Sequence, residues 1–226
     1  MKLEIAVRLF LDSVICVGSG ALADSLADKP IVKMADGLPV IPGSTIKGKT
    51  RHTCEQLARA VFGQRWVWPA CSPPRKFCAK DDLCPVCRIF GTPALRSSLI
   101  FSDLILEIKP GSGKLLSRDF AGVTRRTELR TGIGLSRALR TAQEDRLFSL
   151  ESYRPAKEFC FKGDIEGMVG NRMEAGLLVA GLKFTRAFGG GKSRGMGWAC
   201  VEPEVRIDGG PVAEDELIRE IERWRY

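Results

Sequence analysis

Four cysteines, Cys71, Cys78, Cys84 and Cys87, stand at C-x6-C-x5-C-x2-C spacing. Thiolates are ligands that zinc takes readily, and four of them close a tetrahedron with no position left for substrate, so the spacing reads as a structural zinc site. The segment around them, about 63–97, is rich in proline, cysteine and tryptophan and has no useful apolar period. A bound metal would supply the folding free energy that such a segment lacks. Four reduced cysteines without metal are the other reading. Disulfides fit less well, because the N-terminal run MKLEIAVRLFLD carries Glu4 and Arg8 and no small-residue cleavage site, so no secretory signal is expected.

A second group could hold a phosphate. In LPVIPGSTIKGKTR, residues 38–51, a short apolar approach ends at Pro42-Gly43. Ser44 and Thr45 then look like capping residues, followed within two turns by Lys47, Lys49 and Arg51. A helix N-terminus attracts anions through its unpaired N–H groups and its dipole, so Gly43, Ser44 and the three cations read as a phosphate seat. An ordinary capped helix with a solvated basic face is the alternative. Farther on, Gly189, Gly190 and Gly191 lead into Lys192 and Arg194. A nucleotide-binding P-loop is excluded, because Arg186 occupies the place of its first glycine and the expected order is helix, loop, strand. The loop is either a backbone lying close to an RNA phosphate chain, with Lys192 and Arg194 supplying charge, or a plain turn.

Seven arginines between Arg118 and Arg146, among them Arg125, Arg126 and Arg130, are only partly balanced by Asp119, Glu128, Glu144 and Asp145. Arginine in a projecting segment suits bidentate phosphate contact and stacking on bases, with a salt-bridged surface as the other reading. His52 is the sole histidine, which leaves imidazole acid-base chemistry with one candidate, and its place inside a helix favours a structural or solvent-facing role. The net charge is +8, from Lys+Arg 35 against Asp+Glu 27, and the isoelectric point is near 9.2. A polyanionic partner fits that balance. No apolar stretch approaches a bilayer-spanning length, so a soluble, cytoplasmic protein is expected, with no membrane partner.

The elements that must position these groups follow from periodicity. Leu3, Ile5, Val7, Leu9 and Leu11 alternate in a first strand, and Ile46, Thr53, Leu57 and Val61 recur at helical spacing from Ser44 to about Phe62. A second strand is predicted over Leu99–Ile108, a third through Phe159, Phe161, Ile165 and Met168 with a kink at Gly163, and a fourth from Trp198. Met173–Phe184 reads as a buried helix, and Leu217, Ile218, Ile221 and Trp224 form a terminal helical stripe. The succession strand, helix, strand, strand, helix, strand is the ferredoxin-like order, an α+β fold. One domain over residues 1–226 suffices, with insertions at about 63–97, zinc-binding, and about 112–155, a projecting loop or hairpin.

Taken together, IPGSTIKGKTR at 41–51, the cysteine insertion, TRRTELRTGIGLSR at 124–137 and FGGGKSRGMGW at 188–198 resemble the repeat-associated (RAMP) superfamily. More narrowly, they resemble the backbone subunit of type III CRISPR effector complexes. The resemblance implies an RRM-like core that assembles along a guide RNA beside other effector subunits and further copies of itself, with a thumb that interrupts the guide–target duplex. It implies that an aspartate in the loop before the first helix, here Asp28 in ADKPIVK, supports cleavage of complementary target RNA with a divalent cation such as magnesium. Asp24 and Asp36 match that place less well. A noncatalytic RNA-binding subunit of the same complex is the second reading, and a guide-processing ribonuclease is a third, disfavoured by the single histidine.

Overall fold

The computed structural model describes residues 1–20, 27–62, 78, 83–108, 127–154 and 159–223. In chain order the elements are β1 (Lys2–Leu11), β2 (Val40–Ile41), α1 (Gly43–Phe62), α2 (Pro85–Phe90), β3 (Leu99–Phe101), β4 (Leu104–Ile108), β5 (Thr127–Leu135), β6 (Ala142–Tyr153), β7 (Phe159–Met168), α3 (Arg172–Phe184), β8 (Ala199–Ile207), β9 (Gly210–Val212) and α4 (Glu214–Arg223).

Strand β1 sets the pattern of the main sheet. Leu3, Ile5, Val7 and Leu9 are buried, and the residues between them line the opposite face, the period of two that a half-buried strand requires. Each such side chain stabilises the fold by about 2 kcal/mol. β1 lies at the centre, antiparallel to β7 on one side and β8 on the other. Beyond β7 come β4 and β3, then β2; β9 borders β8. With α1 and α3 in the crossovers, the core strands follow the ferredoxin-like succession.

Helix α3 is largely apolar because it is covered from Met173 to Leu182. Ala175, Leu177, Leu178, Val179, Ala180 and Leu182 are buried. Its approach to α1 is close enough that a Cβ on Gly181 would stand 2.2 Å from Cys54 Sγ. The Cys54 thiol donates to the Leu177 carbonyl at 3.3 Å, and burial pushes its pKa up, which keeps it a protonated donor. On the other side, α4 inserts Leu217 and Ile221. Trp224, expected on the same stripe, lies outside the described residues.

Three expectations need correction. The second strand is two, β3 and β4, which run along the same partner β7 with the register shifted by one residue across Ser102 and Asp103. Ser102 N donates to Asp164 O at 2.9 Å and Ser102 Oγ accepts from Asp164 N at 2.6 Å, while a Cβ on Gly163 would meet Asp103 O at 2.8 Å. The irregularity expected at Gly163 therefore falls on its neighbour, and β7 keeps an unbroken register with β1. The cysteine insertion contains a short helix, α2, with Pro85 in its first turn and Cys84 Sγ accepting the Cys87 N–H as its cap. Short β2 and β9, too brief to show a period, extend the sheet at its edges.

The described part of the arginine-rich segment, residues 127–153, forms an antiparallel hairpin, β5 with β6, outside the main sheet. Its base is held down. Tyr153 is fully buried and exchanges backbone hydrogen bonds with Ile15 at 2.8 and 2.9 Å. Along its length, Leu129, Ile133, Leu135, Leu139 and Leu147 are exposed.

Candidate functional site

The open face of the main sheet is a surface of mixed charge. Glu4, Arg8, Lys162, Asp164, Glu166, Glu204 and Arg206 line a depression there, with Arg8 paired to Glu204 and Lys162 to Glu107. Opposite charges that satisfy one another make a poor platform for stacked bases. The candidate site lies elsewhere, at the start of α1.

There a groove of about 460 Å³ is lined by Ser44, Thr45, Gly48, Lys49 and His52 of α1, by Cys16–Gly18, and by Gly189 and Gly190. The glycine loop is locked against the 14–17 segment. Gly190 N donates to Cys16 O at 2.7 Å, Gly197 N to Val14 O at 2.7 Å, and Phe188 N to Gly197 O at 2.9 Å. Gly189 has φ +78°, and a Cβ there would stand 2.4 Å from Cys16 O, so this turn requires glycine. Gly191 precedes a 3-10 turn, Lys192–Arg194, that carries Lys192 to the groove edge beside Lys49. The Lys49 amine beside it, then partial burial, then the like charge push the Lys192 pKa down to about 8. Two ammonium groups held together are relieved by a shared anion.

Lys47 and Arg51 belong to another face of α1. A helix turns about 100° per residue, so Lys47 and Lys49 diverge by roughly 200°, whereas Lys47, Arg51 and Glu55 follow one another along one side. Lys47 lies 5.7 Å from the centre of the Phe101 ring, and burial together with Arg51 and Arg96 lowers its pKa. Arg51 donates to Glu55 Oε1 and to Gly91 O, both at 3.0 Å. Gly43 has a packing reason to be glycine: its Cβ would stand 2.2 Å from Phe101 O, and its N–H donates to Asp103 Oδ1 at 2.7 Å. The structure thus brings Ser44, Lys49, Gly189, Gly190 and Lys192 together and turns Lys47 and Arg51 away from them.

Asp28 is fastened to the hairpin. Its Oδ2 accepts from Ser149 N at 2.6 Å and Ser149 Oγ at 2.9 Å, and its own N–H donates to Ser149 Oγ at 3.0 Å. Those bonds, the backbone one first, hold its carboxyl below the usual range. The same loop is zipped along β6: Lys29 N donates to Ser149 O and Glu151 N to Lys29 O, both at 3.1 Å, while the Glu151 carboxylate takes Ile31 N and Lys33 Nζ. Next to Ser149, the Phe148 ring carries Lys29 at 5.6 Å and Arg194 at 6.0 Å. The Asp28 loop, the hairpin and the glycine loop therefore meet at Phe148. Arg130 faces Glu128 at 3.6 Å on β5, and Arg125 and Arg126 lie outside the described residues. Ser149, Glu151 and Asp103 had no sequence signal, since each meets its partner 60 or more residues away.

Cys78, Cys84 and Cys87 are buried, and their sulfur atoms lie within 4.8 Å of one another. A tetrahedral thiolate site places sulfurs about 3.8 Å apart, so the trio can hold a metal such as zinc with modest adjustment. Cys71 lies outside the described residues, and the described cluster contains no histidine. Helix α2, which carries Cys87, is tied to α3 by an ion pair between Arg88 and the buried Glu174 at 2.6 Å.

An antiparallel α+β core carries a hairpin outside its main sheet and a groove lined by Lys49 and glycines. The family model of the RAMP superfamily matches residues 13–201, and the chain belongs to that superfamily. Membership supports an RNA-binding, CRISPR-associated subunit. No curated protein matches the chain individually. Among the described residues no helix is long and apolar enough to cross a membrane.

Proposed function

We propose that this chain is an RNA-binding backbone subunit of a type III CRISPR effector complex, that it holds guide RNA in the α1–glycine-loop groove, and that it cleaves complementary target RNA. The observation that carries the reading is the juxtaposition of Lys49 and Lys192 over a floor of Ser44, Gly189 and Gly190 in a chain of the RAMP superfamily. Backbone without side chains lets a phosphate chain lie close, and the two ammonium groups supply the attraction. The whole chain is read as one RAMP domain, with a zinc-binding insertion and the β5–β6 hairpin as its thumb. Guide RNA, target RNA, other effector subunits and further copies of the chain are its partners.

In this reading Asp28 is the residue of the cleavage step. A hairpin that splays one target nucleotide would align its ribose 2′-hydroxyl with the adjacent phosphate for in-line attack. Ser149 holds Asp28 ionised, so the carboxylate is a weak proton acceptor and a dependable negative charge. A divalent cation such as magnesium would neutralise charge on the reacting phosphate when bound. Asp28 belongs to no cluster of three ligands among the described residues, so the cation would take its other ligands from water and RNA.

The engagement of Asp28 by Ser149 also favours the noncatalytic reading, because a carboxylate used to pin the loop to β6 needs no further role. Reconstitution with guide RNA and partner subunits separates the two. Cleavage of complementary RNA that needs magnesium and is lost in Asp28→Ala, with assembly retained, supports the enzyme. Unchanged cleavage in Asp28→Ala assigns the chain a structural part.

A further inference from the structure

We infer that Arg51 is an outer-shell partner of the cysteine cluster, donating to one of its sulfurs and coupling metal occupancy to helix α1. This goes beyond the reading of the groove and does not depend on RNA cleavage. Each described sulfur of the cluster accepts a hydrogen bond: Cys78 Sγ from Cys84 N and Cys84 Sγ from Cys87 N, both at 3.4 Å, and Cys87 Sγ from Arg51 Nη2 at 3.9 Å. Two donors come from the backbone of the knuckle itself. The third reaches in from another element, 36 positions away in the chain, and it carries a full charge.

That arrangement fits thiolates. A sulfur that receives an N–H is an acceptor, and three thiolates this close and this buried repel one another until a cation offsets them. A metal ion supplies most of that compensation, and the three described thiolates around a divalent zinc still carry net negative charge. Arg51 is placed to offset the remainder. Its fork is held from both sides, by Glu55 Oε1 on its own helix and by the Gly91 carbonyl at the C-terminus of α2. A planar guanidinium can serve an acid, a carbonyl and a sulfur at once, which the single ammonium of lysine cannot match in geometry. Outer-shell donors of this kind orient ligands and tune the metal they hold. The assignment also gives Arg51 a task other than guide contact.

The test uses the full-length protein purified with its metal. Arg51→Met should release zinc to a competing chelator about 10 to 100 times faster than wild type. In the cobalt-substituted protein its sulfur-to-cobalt charge-transfer band should move to lower energy, because the sulfur loses a hydrogen bond. Arg51→Lys should shift the band less, and Lys47→Met, on the same face but away from the sulfur, should not shift it. Wild-type release and an unshifted band in Arg51→Met would overturn the inference, as would purified protein that binds no metal. If Arg51→Met does not fold, an unshifted band in Arg51→Lys is the overturning result. Guide binding in Arg51→Met should keep the wild-type salt dependence; a shallower slope with metal retention unchanged would instead assign Arg51 to RNA.

Discussion

On one side of α1, Lys49 stands beside Lys192 at the edge of a groove floored by glycine, with two like charges in contact. On the other side, Arg51 is committed to Glu55, to the Gly91 carbonyl and to a cluster sulfur. Both are cations on one short segment, and composition cannot tell them apart. The difference is in what each has already found. Charges left crowded attract a ligand, whereas charges satisfied by the fold hold the fold together.

The largest effect should come from breaking the cluster side. Cys84→Ser or Cys87→Ser should abolish stoichiometric zinc and unfold the insertion, since metal binding in such segments is worth on the order of 10 kcal/mol. Metal analysis with thermal unfolding checks this, and unchanged stability without zinc would sink it. At the hairpin, Asp28→Ala should reduce target cleavage about a hundredfold or more in the reconstituted complex while guide binding persists.

The two sides of α1 can be separated by salt. Replacing Lys49 and Lys192 with alanine should lower the slope of log affinity against log salt by roughly 1.4 for single-stranded RNA, two phosphate contacts' worth. Lys47→Ala should change it little, and an equal loss there would erase the distinction. The smallest effects are in pH. Lys192 loses its proton as pH rises through about 8 in the free protein, so guide affinity should fall between pH 7 and 9 and fall less in Lys192→Ala. At the acid end, Asp28 is depressed by Ser149, so Ser149→Ala should raise its pKa toward the ordinary value. The acid limb of cleavage should move to higher pH only in part, the backbone N–H of residue 149 being kept.

Much of the core is legible in the sequence. Strand β1 and helices α1 and α4 announce themselves by period, because each buries a continuous face, and α3 by its nearly unbroken apolar run. The ferredoxin-like order follows from counting them. The division of Lys47 and Arg51 from Lys49 was also within reach, by projecting the run onto a helix; counting cations within two turns merges what 100° per residue separates. Other features depend on contacts between distant parts of the chain. Asp28 and Ser149 are 121 positions apart, and Gly43 meets Asp103 across 60. Neither pairing leaves a local pattern, and the break between β3 and β4 is set by the strand beside it.

The hairpin has a practical consequence. Leu129, Ile133, Leu135, Leu139 and Leu147 are exposed on a two-stranded ribbon that stands outside the main sheet. Such a stripe is a colloidal property of the purified chain before it is anything else. The net charge of +8 keeps copies apart at low ionic strength. Added salt shortens the reach of that repulsion and leaves the apolar attraction intact, so the isolated chain should associate more as salt rises, and light scattering across a salt series would show it.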